Sequence, residues 1–285
     1  MKWTCPALDV YAPNEEIAMT TLAERMKEHE HAYRRRLPSR VYTLLRLDGK
    51  NFSTYTRGLD KPFDAQFAAD MAATAKALCE EATGVAFAYT QSDEISLLLT
   101  DFATPTTQAW HGGVEAKILS LSASLVTAVF NKARPDATAM FDARVLTFDN
   151  SAEVLNYFLW RQRDAIKNSI SMASYAYFSN KRLICMNSEQ RLSLLRDKAG
   201  IEWEGYPVWA RRGQIVQRVS EAGSVTFTDR RTATTHTKDV VRNRWQIADA
   251  PEFNQNSKDS WIAQAIPVHP DADALTKRET PKTNR

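Results

Sequence analysis

Apolar and polar positions along residues 41–47 alternate in β-rich residues, the pattern of a strand. It runs into the turn Asp48-Gly49-Lys50-Asn51. Residues 64–83 open on an acid, continue Ala-rich and stop at Gly84, which predicts a helix. Residues 85–89 and 95–100 predict two strands, joined as a hairpin by the short polar link Gln91-Ser92-Asp93-Glu94. Gly112-Gly113 precede a helix over 114–132, in which Ile118, Leu121, Leu125 and Val129 recur at helical spacing. Residues 140–148 predict a fourth strand. The resulting order, β-α-β-β-α-β, is the α+β ferredoxin-like or split β-α-β plan.

The flanks read differently. Residues 14–36 predict a polar helix that ends in the cluster Arg34, Arg35, Arg36, before Pro38. After residue 150, segments 152–179 and 188–198 predict helices, and 207–227 a small strand pair around Gly213 and Gly223. The last stretch is polar and rich in Lys and Arg, which predicts a flexible tail. The expected division is an N-terminal helical segment at 1–40, a central α+β block at 41–150, a mostly helical C-terminal extension at 151–265 and a tail at 266–285.

Two acids acquire meaning from this plan. Asp48 closes the first strand and Asp93-Glu94 opens the third. First and third strands of a split β-α-β unit are antiparallel neighbours, so Asp48 and Asp93 are expected to converge. Convergent carboxylates repel unless a positive charge lies between them. Hard divalent cations take oxygen ligands, and Mg²⁺ binds through one or two carboxylates plus substrate phosphates. Two such ions are a common device for phosphoryl transfer. Each acid also has a plainer reading as a turn former or helix cap. The segment Lys50-Asn51-Phe52-Ser53 could offer backbone N–H groups to a phosphate. Lys117 lies in the first turn of the Gly-Gly helix, against the dipole preference, where an anionic partner would suit it.

Composition narrows the options. Among 285 residues, Lys plus Arg number 37 and Asp plus Glu 34, a formal net charge of +3, which allows a nucleic-acid partner without requiring one. Neither G-x-G-x-x-G nor G-x-x-x-x-G-K-[ST] occurs, which argues against a Rossmann or Walker nucleotide site. Cys5, Cys79 and Cys185 are far apart, so neither a zinc site nor a disulfide framework is expected. The absence of a long apolar run or a signal-like start points to a cytoplasmic protein without membrane association.

Five ordered blocks resemble the tRNA-histidine guanylyltransferase family, over roughly residues 20–250. They are Arg46-Leu47-Asp48-Gly49-Lys50-Asn51-Phe52, Lys61-Pro62-Phe63-Asp64, Gln91-Ser92-Asp93-Glu94, Phe141-Asp142-Ala143-Arg144, and Trp160-Arg161-Gln162 with Asp164 and Asn168. The resemblance implies a polymerase-type palm at 41–150 that adds nucleotides to the 5′ end of tRNA in the 3′-to-5′ direction. ATP activates a 5′-monophosphate, and the 3′-hydroxyl of an incoming nucleotide such as GTP then attacks. On the family pattern, Asp48, Asp93 and the Gly49 carbonyl are ligands of two Mg²⁺ ions, and Glu94 is an acid needed beside them. Lys50, Asn51, Phe52, Ser53, Lys61, Asp64 and Ser92, with Lys117 and Arg144, fall at nucleotide-binding positions. Asn168, Arg211 and Arg212 are expected to meet tRNA, and a homotetramer is implied.

Eukaryotic members follow Trp-Arg-Gln with His-Ile-Asn-Asn-Leu-Tyr-Asn. This chain has Ile166-Lys167-Asn168-Ser169-Ile170-Ser171-Met172, and Ser53 stands where many members have histidine. Both departures resemble the guanylyltransferase-like branch, which favours templated repair of 5′-truncated tRNA over addition of one guanylate to tRNA-histidine. Two other classes remain open at this point. One is an RNA-binding module that stacks bases on Tyr42, Phe87 and Tyr89, since RNA-recognition domains share the plan. The other is a nucleotide cyclase or cyclic-dinucleotide synthase with the same metals. Trp160, Trp203, Trp209 and Trp245 read as core residues.

Overall fold

The structure, a computed structural model, describes residues 21–228, 230–232, 234–254 and 259–271. The chain divides into Met1–Arg35 and Arg36–Arg285. In the first unit, helix α1 (Leu22–Ala32) opens with a reciprocal capping box between Thr21 and Glu24. The helix expected over 14–36 is therefore shorter at its C-terminal end; residues 14–20 lie outside the described residues, as do residues 272–285 of the expected tail. Arg36 is held extended instead. Its backbone bridges Val114, and its guanidinium donates to the Gly112 carbonyl at 2.6 Å.

The second unit is built on six strands: β1 (Tyr42–Gly49), β2 (Val85–Gln91), β3 (Glu94–Thr100), β4 (Phe141–Phe148), β5 (Gln214–Thr228) and β6 (Thr235–Asp249). They form one sheet in the order β4-β1-β3-β2-β5-β6, antiparallel at every junction. The helices are α2 (Phe52–Tyr55), α3 (Ala65–Glu81), α4 (Glu115–Ala133), α5 (Ser151–Tyr177), α6 (Asn180–Leu183), α7 (Ser188–Leu194), α8 (Val208–Arg212) and α9 (Trp261–Ala265).

Strand alternation sorts the side chains onto two faces. Leu45 and Leu47 of β1, with Ile95, Leu97 and Leu99 of β3, join a cluster that includes Met71 and Leu78 of α3 and Ile118, Val126 and Phe130 of α4. Tyr42 and Leu44, with Phe87, Tyr89 and Leu98, join Val154 and Phe158 of α5 and Ile262 of α9. Both faces are thus covered, which explains the near-continuous apolar runs of β1 and β3. Burying a side chain the size of Phe158 contributes about 2 kcal/mol. Because Tyr42, Phe87 and Tyr89 are all buried, the central strands present no open aromatic platform for bases.

Past residue 150 the structure departs from expectation. The strand pair read around Gly213 and Gly223 is a hairpin of two 15-residue strands, and it extends the main sheet through β2. Residues 208–212, read as strand, are helix α8. Gly213 then turns the chain into β5 at φ +83, with a Cβ excluded by the Thr90 carbonyl. The first residues of the expected tail are packed: Ile266 is buried, the Pro267 carbonyl accepts from Tyr42 Oη at 2.7 Å, and His269 Nε2 lies 2.9 Å from the Arg40 carbonyl oxygen. None of the four tryptophans read as core is fully buried, and Trp160 is 53% exposed.

Candidate functional site

The end of β1 and the β2–β3 turn meet as strand pairing dictates. Asp48 lies opposite Glu94 on one side and Asp142 on the other, and the Gly49 amide donates to the Asp93 carbonyl at 3.2 Å. The turn itself is two residues, Ser92-Asp93, with Ser92 in the left-handed region at φ 49. Asp48 and Asp93 thereby share one edge of a cavity of about 440 Å³. Asn168 and Ser171 of α5 also line it, with Phe63, Trp209 and Tyr175.

The electrostatics differ between the two acids. Asp48 accepts from Arg46 at 3.1 Å and lies 3.8 Å from Arg144, with its carboxylate part-exposed. Burial raises the Asp93 carboxyl above the ordinary aspartate value. The charges of Asp48 and Glu94 add to this, against hydrogen bonds from its own backbone and Ser92. The edge of the cavity therefore carries negative charge that the described residues only partly offset.

Glu94, expected beside Asp48 and Asp93, lies opposite Asp48 in the strand pairing and also lines the cavity. Its carboxylate is buried and receives Nε and Nη2 of Arg161, both at 2.7 Å, with Arg46 Nη2 at 3.0 Å. Ser96 Oγ adds a bond at 3.3 Å and is itself 2.9 Å from the Tyr157 hydroxyl, whose pKa burial pushes up to about 12. A carboxylate so engaged positions its neighbours and has little capacity left for a metal.

Several other expected residues take structural parts. The Phe52 ring is buried, 4.9 Å from Tyr55 and 5.1 Å from Phe141, so any contact it makes with a triphosphate is through its backbone. The Lys50 amide donates to Met140 at 2.8 Å and is not free for an anion. Phe52 and Ser53 open α2, where N–H groups have no partner within the helix. Asn51 precedes them in the left-handed region. Asp64 lines the cavity but caps α3, accepting from Phe67 at 2.7 Å and from Asp60 at 3.2 Å. Lys61 donates to the Thr56 carbonyl at 2.8 Å, and Lys117 is exposed in the first turn of α4; neither lines the cavity. Arg144, more than half exposed, stands beside Asp48 and Asp142.

Asn168 is exposed at the cavity wall, whereas Arg211 and Arg212 are half-buried and do not line the cavity. Arg211 donates to the Tyr206 carbonyl at 2.8 Å and lies over the Trp203 ring, and Arg212 reaches Glu252 at 3.7 Å. The sequence reading missed Arg46 and Arg161 as a pair. Arg46 was findable, since it precedes Asp48 by two and shares its face. Arg161 meets Glu94 across 67 positions, which no local signal records.

The family model for tRNAHis guanylyltransferase (Thg1) matches residues 23–155. A solved bacterial tRNA(His) guanylyltransferase (Thg1)-like protein in complex with ATP superposes with TM-score 0.74 at 35% identity, covering 87% of this chain and 99% of that one. One in complex with GTP gives TM-score 0.66 at 37% identity, covering 81% and 93%. An uncharacterized protein of Acanthamoeba polyphaga mimivirus is 30% identical over 226 residues, 69% of this chain and 77% of that protein.

Proposed function

Since the chain belongs to the tRNAHis guanylyltransferase (Thg1) family of nucleotidyltransferases, we propose that it adds nucleotides to the 5′ end of tRNA in the 3′-to-5′ direction, as a templated repair of truncated ends. The observation that carries this reading is the meeting of Asp48 and Asp93 at the end of the paired strands β1 and β3, beside a cavity with aromatic walls. The strand order β4-β1-β3-β2 with α3 and α4 on one face suits a polymerase-type palm. The solved relatives' complexes with ATP and GTP support the two nucleotide substrates. Ile166 and Ser53, at positions where family members carry histidine, support the repair branch. By the same likeness the protein is read as a cytoplasmic homotetramer.

Among the described residues no three His, Cys, Asp or Glu side chains gather as a ligand set. The donors here are two carboxylates, those of Asp48 and Asp93, and the nearby Gly49 carbonyl. Burial and the neighbouring charges of Asp48 and Glu94 raise the Asp93 pKa, a penalty on its ionised form that a cation at that edge would offset. This donor set fits Mg²⁺, which completes its shell with water and substrate phosphate oxygens. When bound, the ions supply Lewis acidity to phosphoryl oxygens.

The remaining work falls to the chain. Phe63, Trp209 and Tyr175 offer ring faces to a base. The opening amides of α2 and the Arg144 guanidinium face the triphosphate in this reading. Activation joins a 5′-phosphate oxygen to the α-phosphorus of ATP and releases pyrophosphate. In the second step the 3′-hydroxyl of the incoming nucleotide attacks the 5′-phosphorus, loses its proton, and AMP leaves. Arg46, tied to both Asp48 and Glu94, fixes the approach of the first carboxylate.

The test uses 5′-monophosphorylated tRNA, full-length and lacking its first nucleotide, with ATP, Mg²⁺ and each nucleotide in turn. Extension of the truncated RNA only by the nucleotide complementary to the acceptor strand is expected. A single G added to full-length tRNA-histidine alone would contradict the repair reading.

A further inference from the structure

Helix α5 carries a second depression on the far side of Asp164, about 430 Å³ in volume. That size is within the range of ligand clefts. Trp160, Arg163 and Lys167 line it, at the i, i+3, i+7 spacing that places side chains on one helix face. Trp160 is 53% exposed, where its sequence context reads as core. Its ring is nonetheless fixed. The buried Arg161 guanidinium lies 4.4 Å from the ring centroid, and Tyr157 meets the ring edge-on at 5.8 Å. One face of the indole is thus backed by the same arginine that holds Glu94. Arg163 and Lys167 are exposed, and neither forms an ion pair among the described residues. Asp164 lines both this depression and the catalytic cavity, and Arg161 at 3.1 Å offsets its charge.

A rigid, half-open indole flanked by two unpaired cations is the chemistry that binds an unpaired nucleotide: the base stacks, and its phosphates meet the cations. We infer that Trp160, Arg163 and Lys167 form a stacking site for an unpaired RNA nucleotide, taking the single-stranded 3′ end of the tRNA acceptor. This rests on the proposed function, because a 5′ end in the catalytic cavity puts the opposite strand's unpaired end within reach of α5. Continuity of the two depressions through Asp164 favours that strand over a free nucleotide.

The test measures affinity of the full chain for 5′-monophosphorylated tRNA with its unpaired 3′ nucleotides and for the same RNA trimmed to a blunt acceptor end. The wild type is expected to prefer the intact RNA by about tenfold, the scale of one stacked base. Trp160→Ala, and separately Arg163→Gln with Lys167→Gln, should remove that preference and leave blunt RNA within about twofold. Trp160→Phe should keep most of it. Equal loss for both RNAs, or no loss, would overturn the inference. So would an increase in KM for ATP at unchanged RNA affinity, which would assign the ring to a free nucleotide. A wild type that extends truncated tRNA but binds intact and blunt RNA equally overturns this site and leaves the proposed function standing. One that neither extends nor binds either RNA removes both.

Discussion

The Arg161 guanidinium closes on the Glu94 carboxylate with two bonds of 2.7 Å, buried between helix α5 and the start of β3, one residue from Asp93. Through Arg46, which touches both Glu94 and Asp48, this pair also sets the first carboxylate of the site. Removing one partner of a buried pair leaves an uncompensated charge, at a cost of about 3 kcal/mol. Arg161→Ala should lose about that much stability in urea unfolding. Replacing both partners, Arg161→Met with Glu94→Gln, should restore much of the stability but not the activity.

Asp93 opposes the stability of the metal-free fold. Its folded pKa is raised, so the protonated form suits the folded chain better. That contribution is fully present below the unfolded aspartate value and is lost as pH rises through the raised folded value. In chelator, the melting midpoint should therefore decline across this window, and Asp93→Asn should flatten the decline. At neutral pH the variant should melt about 2 °C higher than the wild type. Added Mg²⁺ should raise the wild-type midpoint and leave that of the variant unchanged. Melting curves across pH, with and without Mg²⁺, read both effects.

Gly49 is required by a close approach. A Cβ there would overlap the Phe52 ring, which packs among Tyr55, Phe130 and Phe141. Gly49→Ala should cost about 2 kcal/mol as an overpacking substitution. Because the Gly49 amide also ties β1 to the Asp93 carbonyl, nucleotide addition should decrease by more than stability alone explains. Denaturant unfolding and turnover on the same preparation separate the two effects.

Arg144 should act on substrate and not on the fold. It is 56% exposed, and its contacts with Asp48 and Asp142 are long. Arg144→Ala should change stability by less than about 0.5 kcal/mol. It should raise KM for the incoming nucleotide about fivefold, a modest phosphate contact, with kcat close to wild type. Steady-state kinetics against nucleotide concentration check this.

What could be read in the sequence was local. Period-two alternation and the hairpin link placed Asp48 at one strand end and Asp93 at the neighbouring turn, and strand pairing did the rest. The Ala-rich body and acidic start of α3 gave its limits to within two residues, with Asp64 as the cap. What was not legible depends on distant partners. Val208–Arg212 carries β-prone residues yet forms α8, where it packs beside α5 and turns at Gly213 into β5. The long β5–β6 hairpin looks broken at Gly223, but 15 cross-strand pairs carry it through that glycine. Glu94 was placed beside the two acids by the family pattern; its bond to Arg161, 67 positions away, leaves no local signal. Trp160 was assigned to the core by composition, whereas its helix face is open.

The activation step tests the proposed role of the Asp48–Asp93 pair most directly. Under single-turnover conditions, 5′-monophosphorylated tRNA lacking its first nucleotide is mixed with α-labelled ATP and Mg²⁺, and label transferred to the RNA 5′ end is followed. Rapid transfer by the wild type is expected, with a loss of about a thousandfold or more in Asp93→Asn and the variant fully folded. Transfer by Asp93→Asn at the wild-type rate would contradict that role.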